Sequence, residues 1–581
     1  MTPSPQPGSR MRAGSAVVLA VVLLLALRPL AGFDTWWHLA SGRAMSEQGG
    51  LLHEDPFTFT AQGHPWLNHE WLWQGIAWRL YEAAAFDEPA GASALTIATA
   101  LVYALAFTLG YRALRRRGTG PWVSLALVSL CAWGAQPRFL ARPEMATVLA
   151  IALLLGRLSK RSPYDPGVSG NDPIVLPALI AVAVNLHPGA LILPGLVILH
   201  SAARLAGEVI AERRLPDRAA LGRESVLGGL CVAATFLNPA GPGLWLVPFE
   251  LSRIVKTGAY HNPEWLAPTP ATAPVFFAAM AAAVLLLARA VPGRRLTADA
   301  LPLLALGALS LTGYRHIALF LAAVPFGVAV PAATDPLLRE SGLIRRTACA
   351  GVLALVLTLS VGRRTLSGEV GLGVDEGTTP VAAVRFLEET GIPGRLYNDV
   401  RFGGYLDWRF PKDRRVFIDG RNELFVSELS DVSAVLSGRV SYDAWLTLCD
   451  RWRFDAAVVR YHDEKKSVLY PARAGEAPRT GLRAWSAFLF LPERWALVYW
   501  DDTALVFLRR GGPNDALAKA RGYETVSPED IDHQLERAAS DSLFRAALER
   551  DLSRRLSENP PSRRAAEFAE ALRSLPPAPR S

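Results

Sequence analysis

Residues 14–38, GSAVVLAVVLLLALRPLAGFDTWWH, run apolar and uncharged to Leu27, pass through Arg28-Pro29, and end on the cluster Asp34-Thr-Trp-Trp-His38. With its flanks the block approaches the roughly 20 residues that a helix needs to cross a bilayer. Blocks of the same kind recur near 91–111, 121–135, 143–158, 173–187, 189–206, 223–238, 271–290, 297–313, 316–331 and 346–363. Half of the chain is hydrophobic (51%) and only 20% charged, with a mean hydropathy of +0.20, a balance that points to a membrane class. The expectation is an α-helical polytopic membrane protein with about eleven transmembrane helices over 1–363. A C-terminal soluble α/β domain over 364–512 and a charged helical tail over 513–581 should follow. The first block also reads as a secretory leader, with a basic start and Leu30-Ala31-Gly32, but Arg28-Pro29 interrupts the A-x-A-like cleavage pattern and favours a retained helix.

The charges between blocks alternate. Segments 1–13, 112–120, 157–172, 204–223, 289–298 and 332–346 hold 20 Lys or Arg. Segments 34–90, 136–142, 185–189, 238–270 and 313–316 hold 7, over a greater total length. Cytoplasmic loops carry the excess of Lys and Arg, so the N-terminus should be cytoplasmic and the C-terminal domain on the far side. The net charge of +8 is explained by this pattern, and no nucleic-acid partner is expected. The four cysteines form no CxxC or zinc-ligand spacing, so neither a disulfide framework nor a zinc finger is expected.

Ionisable residues at membrane depth are costly, and the middles of the blocks are nearly free of them. They gather instead in the segments read as outside: Asp34, His38, Asp55, His69 and Glu70 in the first; Arg138, Arg142 and Glu144 in or beside the second; Asn185 and His187 in the third. Asn238, His261, Asn262 and Glu264 belong to the fourth, Arg315 and His316 to the fifth. Coupled transporters place such groups near the midplane, so this distribution favours a site at the outer surface.

If helix continues past residue 33, Asp34 and His38 lie one turn apart on one face. That spacing suits a shared metal ion or a carboxylate orienting an imidazole, and equally an Asp34 that only caps the helix. A second amphipathic helix should start in Trp66-Leu-Asn-His-Glu-Trp-Leu-Trp73 and run to about Tyr81. Six of the 16 tryptophans fall between 34 and 90; Trp favours the headgroup level, so interfacial anchoring is their plain reading. His69 and Glu70 read as a functional or a merely solvated pair. Arg138 and Arg142 bracket a short turn and present guanidinium forks suited to phosphate, or to lipid headgroups; Arg315-His316 reads the same way. Asn185-Leu-His187-Pro is either part of the site or a polar helix end.

Beyond 364 the pattern predicts a helix over 380–390 and strands over 395–398, 415–418, 455–460, 495–500 and 504–509. Turns are expected at Gly403-Gly404 and Asp419-Gly420, and helices near 428–437 and 441–452. Asn398, Asp399, Asp419 and Arg421 suit a sugar or acceptor but read first as strand-end structure.

The elements DTWWHLASGRAM, DPFTFTAQGHPWLNHEWL, RFLARPE, VNLHPG, LNPAG, NPEWLAP and YRHIALF, with RLYNDVRFGGYLDWRF and RRVFIDGRNELF further on, resemble a group of bacterial multi-pass proteins related to the GT-C superfamily of membrane glycosyltransferases. The resemblance implies a GT-C-like fold in the bacterial cytoplasmic (inner) membrane. It also implies inverting transfer of a sugar from a polyprenyl-phosphate-linked donor to a glycan, lipid or protein acceptor. Asp34 matches the carboxylate of the first outside loop, which would act as base, aided by His38 or Glu70, and could ligate a divalent cation such as Mg or Mn. Substrate or phosphate binding would fall to His69, Arg138, Arg142, His187, Arg315 and His316. The chain lacks the Asp-Glu pair and the His-Pro-Pro of the mannosyltransferase pattern; His64-Pro65 and His69-Glu70 stand in that neighbourhood. Two other functions fit a multi-pass chain: a carrier of a lipid-linked intermediate, which the apolar midplane disfavours, and a non-catalytic assembly protein with an exported binding domain.

Overall fold

The computed structural model describes residues 7–84, 87–160, 170–213, 215–256, 263–291, 297–336, 338, 343–366, 368–410, 414–436, 442–461, 465–470 and 479–576. His261 and Asn262 lie outside the described residues.

The first seven helices are α1 (Pro7–Ala26), α2 (Phe33–Gln48), α3 (Trp71–Ala84), α4 (Glu88–Arg116), α5 (Pro121–Ala135), α6 (Glu144–Leu158) and α7 (Asp172–Leu186). Local chemistry sets the ends of α4. Asp87 caps its start by accepting from the Ala90 amide at 2.8 Å, Pro89 sits in the first turn, and Arg115 and Arg116 in the last turn offset the helix dipole. One face of α4, including Leu95, Tyr103, Phe107 and Leu114, is buried against α1 and α6. At the centre of the bundle, the helix Ile317–Gly327 is buried along its whole length.

The apolar blocks are helical, and the count of eleven crossings is not confirmed. Among the described residues, three runs are long and apolar enough to cross a bilayer: Glu88–Arg116, Pro188–Ile210 and Arg346–Leu366. Shorter apolar helices include Met11–Ala26, Asp172–Leu186, Pro274–Ala290 and Ala300–Ser310. The sequence supplies the breaks. Extended backbone at His187 before Pro188 ends α7, and the helix carrying Pro325 stops at Gly327 before a short one starts at Ala329.

The C-terminal part holds β1 (Arg395–Asn398), β2 (Phe454–Arg460), β3 (Lys465–Tyr470), β4 (Arg479–Ala484), β5 (Trp495–Trp500) and β6 (Ala504–Arg509). The sheet order is β1-β2-β6-β5, with β1 parallel to β2 and the other pairs antiparallel; β3 and β4 form a separate hairpin that the periodicity did not announce. The stretch 415–418 makes no strand but a single bridge, Val416 to Thr58 of the first loop. Beyond 513, Phe544, Leu548 and Phe568 share a hydrophobic cluster with Trp500 and Leu505.

Gly403 and Gly404 lie inside the helix Val400–Arg409, not in a turn. They are required by close approach: a Cβ on Gly404 would stand 2.6 Å from the Phe33 carbonyl oxygen and 3.1 Å from the Trp37 nitrogen. This glycine-lined contact seats the C-terminal part on α2. Replacing Gly404 with Val should lower stability by ~1–3 kcal/mol in a thermal melt, whereas Gly75→Ala, where nothing lies within 4 Å, should cost far less. Equal effects would refute the packing role.

The same contact changes the reading of the tryptophans. Trp36, Trp37, Trp66 and Trp73 are all buried. Trp36 meets Tyr405 edge-on with centroids 4.9 Å apart, and Trp37 packs on Trp66 at 6.1 Å. Trp36, Trp37 and Trp66 form core between the first loop and the C-terminal part, and so do not serve as headgroup anchors. Sequence patterning alone could not show that a domain some 360 residues away covers them.

Candidate active site

Helix α2 starts at Phe33 and its N-cap is Gly32, so Asp34 sits in the first turn and caps nothing. Its carboxylate and the His38 ring, one turn on, face a cavity of about 140 Å³. The second helix starts only at Trp71. Ahead of it the chain is pinned by the Trp66 amide on the His53 carbonyl at 2.8 Å, and by reciprocal Asn68–Gln74 amide hydrogen bonds of 2.7 Å. His69 and Glu70 therefore come off a loop and reach the same cavity. Arg138, Arg142, His187 and Arg315 line it too; His316 does not, and its Nδ1 lies 3.5 Å from Thr312 Oγ1.

Two residues that the sequence placed in the outside clusters without a role complete the polar wall. Glu264 lies 2.9 Å from Arg138 Nη1 and accepts from Arg142 Nη1 at 3.2 Å. Glu144 pairs with Arg138 Nη2. Arg142 also lies 3.3 Å from Asp34, whose other oxygen accepts from the Trp37 indole at 3.4 Å. A chain of alternating charge thus runs Asp34–Arg142–Glu264–Arg138–Glu144. Arg315 differs: it lies 4.3 Å over the Trp265 ring and forms no ion pair among the described residues.

Electrostatics separate the carboxylates. Burial raises Asp34 above the ordinary range, and Arg142 opposes that rise. Burial also pushes Glu70 up to about 7, into the range suited to accepting a proton near neutral pH. Burial acts on Glu264 in the same sense but is outweighed by Arg142 and Arg138, which hold it down to about 2. Desolvation drives His38 and His187 well below the ordinary imidazole value, so both are neutral. Their Nε2 atoms lie 3.8 and 3.9 Å from the two Glu70 oxygens, too far for hydrogen bonds. Thr147 Oγ1 fixes the His187 ring through Nδ1 at 2.8 Å.

The C-terminal part closes the cavity through Gly420, Arg421, Asn422 and Glu423. A Cβ on Gly420 would stand 2.5 Å from Asp34 Oδ1, so only glycine lets the chain come this near. Arg421 is fully buried, 2.6 Å from Asp55 of the first loop, and donates through Nε to Asp419 at 3.0 Å. Asn398 is spent on backbone, accepting from the Phe417 amide at 2.9 Å and donating to the Ile418 carbonyl at 2.7 Å. Asp399 caps the helix Val400–Arg409. The motif FIDGRN thus builds the wall, with Gly420 and Arg421 facing the site.

For a divalent cation the residues as placed do not make a ready ligand set. Asp34 is held by Arg142, and no three His, Cys, Asp or Glu side chains converge as ligands among the described residues.

No protein-family model and no curated protein matches the sequence. Solved structures do match. The archaeal oligosaccharyltransferase AglB from Archaeoglobus fulgidus, in complex with an inhibitory peptide and a dolichol-phosphate, aligns with a TM-score of 0.57 at 11% identity, over 97% of this chain and 86% of that one. The Archaeoglobus fulgidus oligosaccharyltransferase in complex with Zn and sulfate aligns with a TM-score of 0.54 at 11% identity, over 96% and 84%. The same enzyme tethered to an acceptor peptide containing the NVT sequon gives 0.54 at 12%, over 94% and 86%. The chain therefore shares the fold of these oligosaccharyltransferase structures over nearly its whole length.

Proposed function

We propose that this chain is a membrane glycosyltransferase that moves a sugar from a polyprenyl-phosphate-linked donor to an acceptor at the outer face of the bacterial inner membrane. The observation that carries the reading is the cavity itself: the part-buried carboxylates Asp34 and Glu70 share it with Arg315, a desolvated cation that forms no ion pair among the described residues. A lipid phosphate supplies the missing anion, and the guanidinium fork matches it. Next to the cavity, Trp71 and Asn185, hydrogen-bonded at 2.9 Å, belong to an open groove of about 590 Å³ whose wall includes Leu72, Val182 and Leu237. An isoprenoid tail fits there.

In the reaction the acceptor oxygen or nitrogen attacks the anomeric carbon from the face opposite the phosphate. The new bond forms as the carbon–oxygen bond to phosphate breaks, and its electron pair leaves with the lipid phosphate. The acceptor proton passes to a carboxylate, Asp34 or Glu70. Arg315 and the Arg138–Arg142 pair stabilise the departing charge in a poorly solvated site, where such contacts count most. Phosphate is a good leaving group, so no acid is required on that side.

The Glu70 carboxyl gives the pH dependence. Below about 7 it is neutral and cannot take a proton, so the transfer rate should rise as pH climbs through about 7 and then level off. Glu70→Gln should remove that limb. Stability runs the other way: a raised carboxyl favours the fold below its unfolded value, and this contribution is lost as pH rises through the folded one. A flat wild-type profile between pH 6 and 8 would remove Glu70 from the chemistry. For the function as a whole, a strain lacking the chain should lose one envelope glycan or glycolipid modification that the wild-type gene restores. Unchanged profiles would favour the assembly-protein reading.

A further inference from the structure

At the end of α4 and α6 remote from Asp34 lies a second cavity of about 530 Å³, between α4, α6 and α7. Glu88, at the near end of α4, pairs with Arg409 of the C-terminal part at 3.1 Å. Arg116, at the far end of a helix of 29 residues, is therefore about 42 Å away at 1.5 Å per residue.

The cavity has two kinds of wall. Its floor is apolar and buried, with Ala113, Ala152 and Leu176, and its rims are Leu153 and Val175, each about two-fifths exposed (39% and 41%). Its mouth carries Arg116, Arg117, Arg157 and Lys160. Arg157 is neutralised by Asp172 at 2.7 Å, and Arg117 donates to the Ser159 carbonyl. Arg116 and Lys160 are exposed and form no ion pair among the described residues. Three cations that form no ion pair among the described residues thus ring the open end of an oily cleft between apolar helices.

We propose that this cleft binds an anionic phospholipid of the opposite leaflet, with its phosphate among Arg116, Arg117 and Lys160 and the first methylenes of its acyl chains against Leu153 and Val175. Charge complementarity selects the headgroup, and the apolar rims select a lipid over a free anion. Basic pockets between spanning helices recognise anionic headgroups on this physical basis. Offsetting the helix dipoles at the ends of α4 and α6 would need the cations but not the cleft.

The test is native mass spectrometry of the full chain in detergent, titrated with phosphatidylglycerol or phosphatidylcholine. Wild type should retain phosphatidylglycerol preferentially. The double variant Arg116→Gln/Lys160→Gln should retain about tenfold less or lower still. Leu153→Trp, which fills the cleft and keeps every charge, should also lose the preference, while Arg253→Gln on another exposed surface should not. Equal retention of the two lipids by wild type, wild-type behaviour in both cleft variants, or displacement of phosphatidylglycerol by equimolar inorganic phosphate would overturn the proposal. None of these readings depends on sugar transfer.

Discussion

Asp34→Asn should slow sugar transfer by about 10²–10⁴-fold, the range general-base catalysis usually supplies, without lowering the amount of protein in the membrane. Asparagine keeps the volume of the side chain and its place in the first turn of α2, and can still accept from the Trp37 indole. It cannot take a proton, and it no longer offers Arg142 a negative partner 3.3 Å away. Arg142 stays anchored on Glu264, so the wall should hold and the loss should fall on the rate more than on folding. Asp34→Glu, which restores the charge but displaces it by a methylene, should recover only part of the rate, since misplacing a reacting group by about 1 Å costs on the order of 10². A rate for Asp34→Asn within twofold of wild type would leave Asp34 a structural residue and move the proton transfer to Glu70.

Arg421→Ala should be the most damaging single change to stability, at ~3–5 kcal/mol. Asp55, Asp419 and Asp407 are all buried around this guanidinium, and removing it strands carboxylates in low dielectric. Arg421 also lies 4.6 Å over the Trp66 ring, so packing is lost with the charge. The damage should concentrate where the C-terminal part meets the first loop, because Asp55 belongs to one and Asp419 to the other. Limited proteolysis should then cut between residues 48 and 71 or near 411–421 at protease levels that spare wild type. Arg421→Lys should not rescue, since a point charge cannot meet Asp55 and Asp419 together. A melting temperature within 2 °C of wild type in Arg421→Ala, where ~1 kcal/mol moves a domain by several degrees, would mean that the two parts are held elsewhere.

The helical character of the chain was legible from its apolar blocks, and the resemblance from short motifs such as DTWWHLASGRAM and FIDGRNELF; the alignment with the archaeal oligosaccharyltransferase shows a shared fold. Placing the charged and polar residues at one end of the blocks also named most of the charged and imidazole side chains that line the cavity. Their partners were not legible. Glu264 joins Arg138 and Arg142 from 122 and more residues away, and no local periodicity encodes such a meeting. Gly403-Gly404 misled for a related reason: a glycine pair signals a turn locally, whereas here it admits α2 at backbone distance. The buried tryptophans and the Thr58–Val416 bridge share that cause, since each depends on the first loop meeting the C-terminal part. The signal that could have found Gly420 and Arg421 is the likeness of FIDGRN to the related group, read as a wall of the site and not as a strand end.

Whether the Asp34 cavity receives a lipid phosphate can be tested before the sugar is known, because polyprenyl phosphate is the common product of every such donor. The measurement is equilibrium binding of undecaprenyl phosphate and of undecaprenol to the full chain in nanodiscs, for wild type and Arg315→Gln. Wild type should prefer the phosphate by at least tenfold, and Arg315→Gln should lose most of that preference while binding the alcohol as before. Equal affinity of wild type for phosphate and alcohol, or an undiminished preference in Arg315→Gln, would contradict the claim.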